Sequence, residues 1–204
     1  KAVINRLSLY LRELQQLIGA GQMTISSTRL GRRLGFTASQ VRKDFAYFGQ
    51  FGYPGLGYRC DQLVAEIRRI LGTDRTWNVV LVGCGNLGQA LLGNRGFGSQ
   101  GVQVVAAVDV NPKIVGTKIE TIPVGHLDHL TAIAEVNQIE VAILAVPSAA
   151  VETAVASILA AGIRGILNFV PVRLTLPEGV ATVEVDLARE LEQLAFAVVQ
   201  SGRG

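Results

Sequence analysis

Gly83, Gly85 and Gly88 form a Gly-x-Gly-x-x-Gly run that starts where the apolar segment Val79-Val80-Leu81-Val82 ends. Alone, the spacing is weak. Here a second apolar run, Val102 to Val108, follows and ends in Asp109, 21 residues after Gly88. A strand, a glycine turn, a helix and an acid at the tip of the next strand together make a dinucleotide site. Gly83 permits the tight turn, Gly85 lets backbone approach a pyrophosphate, and Gly88 allows close helix packing. Cys84, Asn86 and Leu87 complete the loop, and the helix opening near Asn86 aims its unpaired amides at phosphate. Asp109 is placed to accept hydrogen bonds from the adenosine ribose. Val110 and Asn111 supply no arginine for a 2′-phosphate, so NAD+ and NADH are expected over their phosphorylated forms, with Lys113 the one basic neighbour.

Other chemistry is sparse. Only Cys60 and Cys84 occur, without ligand spacing, so neither a disulfide framework nor a metal site is expected. Helix-terminal amides near Cys84 favour a thiolate on one reading; a small core filler is the other. His126 and His129 sit in no metal or triad spacing, in what reads as a short edge helix. No Gly-x-Ser-x-Gly, His-Glu-x-x-His or Tyr-x-x-x-Lys run is present. No uncharged apolar run of about 18 residues occurs, and the start lacks a signal-peptide plan, which points to a reducing cytosol and no membrane partner.

The elements that must position these groups divide by charge. Residues 1–75 carry 12 Lys+Arg against 5 Asp+Glu, a net +7; the rest carry −4. A basic head on an acidic body suggests polyanion binding. Within the head, Ile4, Leu7, Leu11, Leu14 and Ile18 recur at helical spacing over 3–19. Ser26 or Ser27 can cap a helix from Thr28 to Leu34, and Thr37 caps a third from Ala38 to Phe48. Two short helices across a glycine turn make a helix-turn-helix, spanning about 8–47. Val41, Phe45 and Phe48 should pack inward. Ser39, Gln40, Arg42 and Lys43 lie on other faces, where arginine suits guanine, glutamine suits adenine, and lysine or serine holds phosphate. Glycines and aromatics over 49–58 suggest a wing, with Tyr53 as a DNA contact. Asp61 caps a helix through Leu71.

After the boundary at 72–76, the body alternates strand and helix. Val141 to Val146 leads to Pro147, a helix runs from Ser148 to Ala161, and Gly165 to Phe169 is a strand. Ligands sit beyond the carboxyl ends of such strands, so Val146, Pro147, Asn168 and Phe169 are expected around the nicotinamide half. One helix remains, Asp186 to about Gln200, with Leu187, Leu191, Leu194, Ala195 and Val198 as its apolar stripe. The fold class is thus two-domain α/β. A winged helix-turn-helix (1–74) precedes a Rossmann-type parallel sheet (75–185) and a C-terminal dimerisation helix (186–204).

The chain resembles the Rex family of bacterial redox-sensing transcriptional repressors. The likeness lies in the segments Val41-Arg42-Lys43-Asp44-Phe45-Ala46-Tyr47-Phe48-Gly49, Gly55-Leu56-Gly57-Tyr58 and Val82 to Gly88. It extends to Ala145-Val146-Pro147, Gly162 to Phe169 and Val185-Asp186-Leu187-Ala188. The resemblance implies a homodimeric repressor, not an enzyme, in the bacterial cytoplasm and nucleoid. It binds palindromic operators, is released by NADH, and binds NAD+ in competition. It also implies a final helix exchanged between subunits, which brings Leu187 beside the partner's nicotinamide. A switch pair, Arg12 with Asp186, belongs to the DNA-bound form. One departure is Tyr53-Pro54, where family wings often carry a basic pair. The rival reading is a small NAD-dependent oxidoreductase whose basic head is an oligomerisation arm and whose proton donor is His126. A third is a coenzyme A-binding domain, which Asp109 opposes because that ribose carries a 3′-phosphate.

Overall fold

The computed structural model describes residues 2–49, 57–93, 96, 98 and 101–202. The chain separates into two compact units, Lys1–Arg75 and Thr76–Gly204.

In the first unit, helix α1 (Ala2–Gly19) is followed by strand β1 (Thr24–Ile25), α2 (Ser27–Leu34), α3 (Ala38–Ala46), β2 (Tyr58–Arg59) and α4 (Cys60–Leu71). Ser26 caps α2 by accepting from Arg29 N, and Gly35 ends it in the left-handed region at φ 74°. Thr37 caps α3 by accepting from Gln40 N. That helix stops at Ala46, two residues short of the periodicity-based expectation: Tyr47 caps it with helical angles, and Phe48 N donates to Phe45 O in a tighter turn. Asp61 does not cap α4. It sits inside the first turn and pairs with Arg59 at 2.7 Å, an acid where the helix dipole favours one. The glycine-rich segment was expected to make its own hairpin; residues 50–56, including Tyr53 and Pro54, lie outside the described residues. Its far end pairs as β2 with β1, antiparallel, Thr24 opposite Arg59. Leu7, Tyr10, Leu11 and Leu14 of α1 form the core with Val41, Phe45, Leu63 and Ile67. Tyr10 meets Phe45 edge-on at 5.2 Å, and Phe45 meets Tyr58 at 5.1 Å.

The second unit is a seven-stranded sheet in the order β5-β6-β4-β3-β7-β8-β9. Its strands are β3 (Trp77–Val82), β4 (Val102–Asp109), β5 (Lys118–Ile119), β6 (Ile122–His126), β7 (Val141–Leu144), β8 (Gly165–Asn168) and β9 (Ala181–Glu184). Only β5 runs antiparallel to its neighbour. Helices α5 (Asn86–Leu92), α6 (Leu130–Val136) and α7 (Val151–Ala160) cross over between strands. Val80, Val82 and Leu144 bury one face; Val79, Leu81 and Ile143 bury the other. Alternate residues of the same strands serve two cores, as a sheet covered on both sides requires. Strands β5, β6 and β9 carry no sequence signal: β6 contains Pro123 and Gly125, and every residue of β9 is exposed. His126 therefore ends a strand, not an edge helix, and a single 3-10 turn (Leu127–His129) follows it. Another such turn, Ser148–Ala150, precedes α7.

The last helix, α8 (Leu187–Ser201), buries none of its residues in this chain. Leu187, Leu191, Leu194, Phe196, Val198 and Val199 are all exposed by half or more. No helix among the described residues is long and apolar enough to cross a membrane.

Candidate nucleotide and DNA sites

Strand order reverses at β3, which has β4 on one side and β7 on the other. Their carboxyl ends open a cavity of about 560 Å³ lined by Gly83, Gly85, Asp109, Val146, Pro147 and Thr153 among others. Crevices of this kind are where open α/β sheets bind ligands.

The three glycines serve different needs. At Gly83, φ is +96° and a side chain would meet Ala145 O at 2.5 Å. At Gly88 a side chain would meet Gly83 O at 2.1 Å. Both are demanded by the fold. Nothing in the protein lies within 4 Å of a side chain placed on Gly85, whose conformation any residue can adopt (φ −68°). The space over Gly85 belongs to whatever enters the cavity, and bare backbone there suits a phosphate group. Asp109 faces it: Oδ2 accepts from Cys84 N at 2.6 Å and Oδ1 from Asn111 N at 2.8 Å. These bonds lock the carboxylate while leaving lone pairs for a diol.

Asn86 and Leu87 lie exposed on the first turn of α5. Cys84 is buried, and its thiol is pushed up to about 12 by burial and by the nearby Asp109 carboxylate. The thiolate reading is therefore overturned: desolvation outweighs the helix-terminal amides. Asn168 does not line the cavity. It is fully buried, with Oδ1 accepting from Val170 N and Nδ2 donating to Val172 O, both at 2.9 Å. Its role is to close the turn that carries half-buried Phe169, which packs on the core from Val79 to Ile143. Leu187 opens α8 and is 62% exposed. Asp186 caps α8 by accepting from Arg189 N at 3.0 Å, and Arg12 is exposed on α1 in the other unit. His126 lies opposite Asp109 across β4 and β6, and its Nδ1 accepts from Asp128 N at 3.3 Å. Among the described residues no cluster of three metal-ligating side chains occurs.

On α3, Ser39, Arg42 and Lys43 are exposed, and Arg42 donates to Ser27 Oγ at 3.2 Å. Gln40 is different. It is half-buried, and its Nε2 donates to Asp44 Oδ1 at 2.8 Å. Asp44, 2% exposed, also accepts two bonds from Arg6, at 2.6 and 2.7 Å, and one from Tyr10 at 2.8 Å. The Arg6 guanidinium holds this carboxyl below the usual carboxylate range. Arg33 of α2 pairs with Glu13 of α1. Sequence reading missed Asp44, Arg6 and Tyr10. The available signal was an acid between Val41 and Phe45 on the inward stripe of α3, which demands a buried partner.

Comparison with known proteins agrees with both halves. A family model described as a putative DNA-binding protein N-terminus matches residues 1–46, and one described as a CoA binding domain matches residues 74–172. A redox-sensing transcriptional repressor Rex of Carboxydothermus hydrogenoformans is 41% identical, over 97% of this chain and 95% of that protein. The protein of the same name from Streptomyces avermitilis is 42% identical over 96% of this chain and 78% of its own length. A crystal structure of RSP in complex with β-NAD+ and operator DNA superposes with a TM-score of 0.92 at 34% identity, covering 98% of this chain and 93% of that one. RSP in complex with β-NADH gives 0.87 at 32% identity, covering 99% and 95%. With the relatedness extending from the first helix to the last, the chain belongs to the Rex family of redox-sensing transcriptional repressors.

Proposed function

We propose that this protein is a homodimeric repressor that binds palindromic operator DNA and leaves it when NADH displaces NAD+. The observation that carries the reading is one crevice in which Gly85 is open to a ligand and Asp109 is locked as a diol acceptor. It lies in a chain whose relative RSP has been crystallised with β-NAD+, β-NADH and operator DNA. The cofactor site is built from Gly83, Cys84, Gly85, Asn86, Leu87, Gly88, Asp109, Val146 and Pro147, with Phe169 on the nicotinamide side; Gly83 and Gly88 hold the loop in shape, Cys84 serves through its backbone, and Gly85 meets the phosphate. Asn168 acts behind Phe169. A coenzyme A ligand would set a 3′-phosphate against Asp109, so the family model named for that ligand describes the fold here.

NAD+ and NADH differ only at the nicotinamide, and equal binding of both shifts nothing. Discrimination therefore belongs to Phe169 and to Leu187 of the partner subunit. In this reading α8, whose apolar face nothing in its own chain covers, is exchanged between subunits. Closure of Phe169 and the exchanged helix around the neutral ring reorients the two basic heads. Their α3 helices then no longer match major grooves about 34 Å apart. Arg12 and Asp186 pair in the DNA-competent arrangement, Asp186 exchanging its helix cap for the ion pair. Ser39, Arg42 and Lys43 face DNA directly, and Tyr53, outside the described residues, is a further DNA contact. The protein works in the cytoplasm, at the nucleoid. The oxidoreductase reading is disfavoured because the relatives that match nearly the whole chain are named as transcriptional repressors.

The test is operator binding measured while NADH is titrated against NAD+ at constant total nucleotide. Release at a rising NADH fraction is expected; binding that ignores the ratio overturns the reading.

A further inference from the structure

Asp44 is a costly residue for the inner face of a recognition helix. A carboxylate 2% exposed must be compensated, and it receives four hydrogen bonds: two from Arg6, one from Tyr10 and one from Gln40. Three of those anchor α3 to α1. The fourth does something else. An ionised carboxylate accepts and never donates, so the Gln40 atom 2.8 Å away has to be the amide nitrogen. The amide orientation, usually ambiguous, is thereby dictated by charge. Nε2 is turned inward, and Oε1, which meets no partner among the described residues, is the end left for a ligand.

We infer that Asp44 is a specificity-positioning residue: it orients Gln40 so that α3 offers a hydrogen-bond acceptor, not an adjustable amide, to the base edge beside it. This rests on the reading of α3 as a DNA-recognition helix. In the major groove an acceptor selects the exocyclic amines, adenine N6 and cytosine N4, and disfavours guanine O6 and thymine O4. A glutamine with both ends available can serve either class; a clamped one cannot. Arg6 is part of the device, because its paired donors keep the carboxylate charged and its second oxygen satisfied.

The test uses the full-length protein with two probes. One is a palindromic duplex selected by the unmodified protein from a randomised half-site library; the other is a scrambled duplex of equal length. Asp44→Asn is isosteric but lets the Gln40 amide turn over. Its expected effect is a fall of about fivefold to a hundredfold in the selected-to-scrambled affinity ratio, the worth of one base contact. Reselection with the variant should relax the preference at one position per half-site. In a Gln40→Ala background the same Asp44→Asn change should leave the ratio unmoved. Glu13→Gln is the control for softening of the unit, since it breaks the Arg33–Glu13 pair without touching Gln40. Equal loss of the ratio in Glu13→Gln, matched for melting temperature, overturns the inference, as does an unchanged ratio in Asp44→Asn. If the unmodified protein selects no duplex over the scrambled one, the DNA-binding reading itself fails first, an outcome distinct from either.

Discussion

Replacing Gly88 by alanine puts one methyl group where the glycine loop has no room. The new Cβ would stand 2.1 Å from Gly83 O and 3.2 Å from Leu81 Cδ2, whereas ordinary contact starts at 3.4 Å, so the backbones must part by about 1.3 Å. Gly83 cannot yield. Its N–H donates to Val108 O at 2.9 Å, and Ala145 O crowds its other side. Helix α5 has to retreat. A retreat of that size takes an N–H···O contact from about 2.9 Å to about 4.2 Å, outside hydrogen-bonding range. Losing one charge-assisted bond to phosphate costs about 1.5–3 kcal/mol, so the NADH dissociation constant should rise roughly tenfold to a hundredfold. Overpacking should also cost about 1–3 kcal/mol of stability, roughly 3–10 °C in melting temperature. Gly85→Ala supplies the contrast. Its side chain meets nothing within 4 Å and its backbone is unstrained, so melting should hold while NADH affinity falls. Fluorescence titration of NADH and calorimetry read both quantities. If Gly88→Ala leaves affinity and melting unchanged, or if Gly85→Ala loses stability instead of affinity, the division into fold glycines and a ligand glycine is wrong.

Three further outcomes are expected. Arg42→Ala should weaken binding to a selected operator by about 1–3 kcal/mol with relaxed sequence preference; a shallower salt slope with preference intact would reassign Arg42 to phosphate. Cys84 holds its proton more tightly in the folded state, its thiol raised from 9.0 to about 12. Its contribution is therefore complete below 9.0 and lost as pH rises toward about 12. Cys84→Ala should flatten the alkaline destabilisation of the second unit in denaturant titrations and keep the NADH response; rapid alkylation of Cys84 at neutral pH would contradict this. Asn168→Ala strands Val170 N and Val172 O, should cost about 1–3 kcal/mol by calorimetry, and should raise the NADH concentration needed for operator release. Unaltered release would separate the Phe169 turn from redox sensing.

Much of what the chain announced locally, it formed, the cap expected at Asp61 being an exception. The caps at Ser26 and Thr37, the glycine stops, the apolar runs at Val79 and Val102 and the acid at Asp109 were all legible. Each depends on neighbours within a few residues, where backbone geometry and hydrophobic period leave a direct imprint. Strands β5 and β9 at the two edges, and β6 beside β5, were invisible because their pairing comes from the sheet they join, not from their own composition. The same holds for side chains. Asn168 read as a ligand contact from its place at a strand tip, yet its amide is consumed by its own turn. Cys84 read either as an activated thiol or as a small core filler, and burial selects the filler.

The amino-acid sequence alone determined that this chain joins a basic helical head to a dinucleotide-type sheet, since charge balance, periodicity and glycine spacing survive without coordinates. Only tertiary structure decided that Asp44, Arg6, Tyr10 and Gln40 meet. Those are contacts between residues up to 38 positions apart, and long-range proximity is set by packing, which no local pattern encodes.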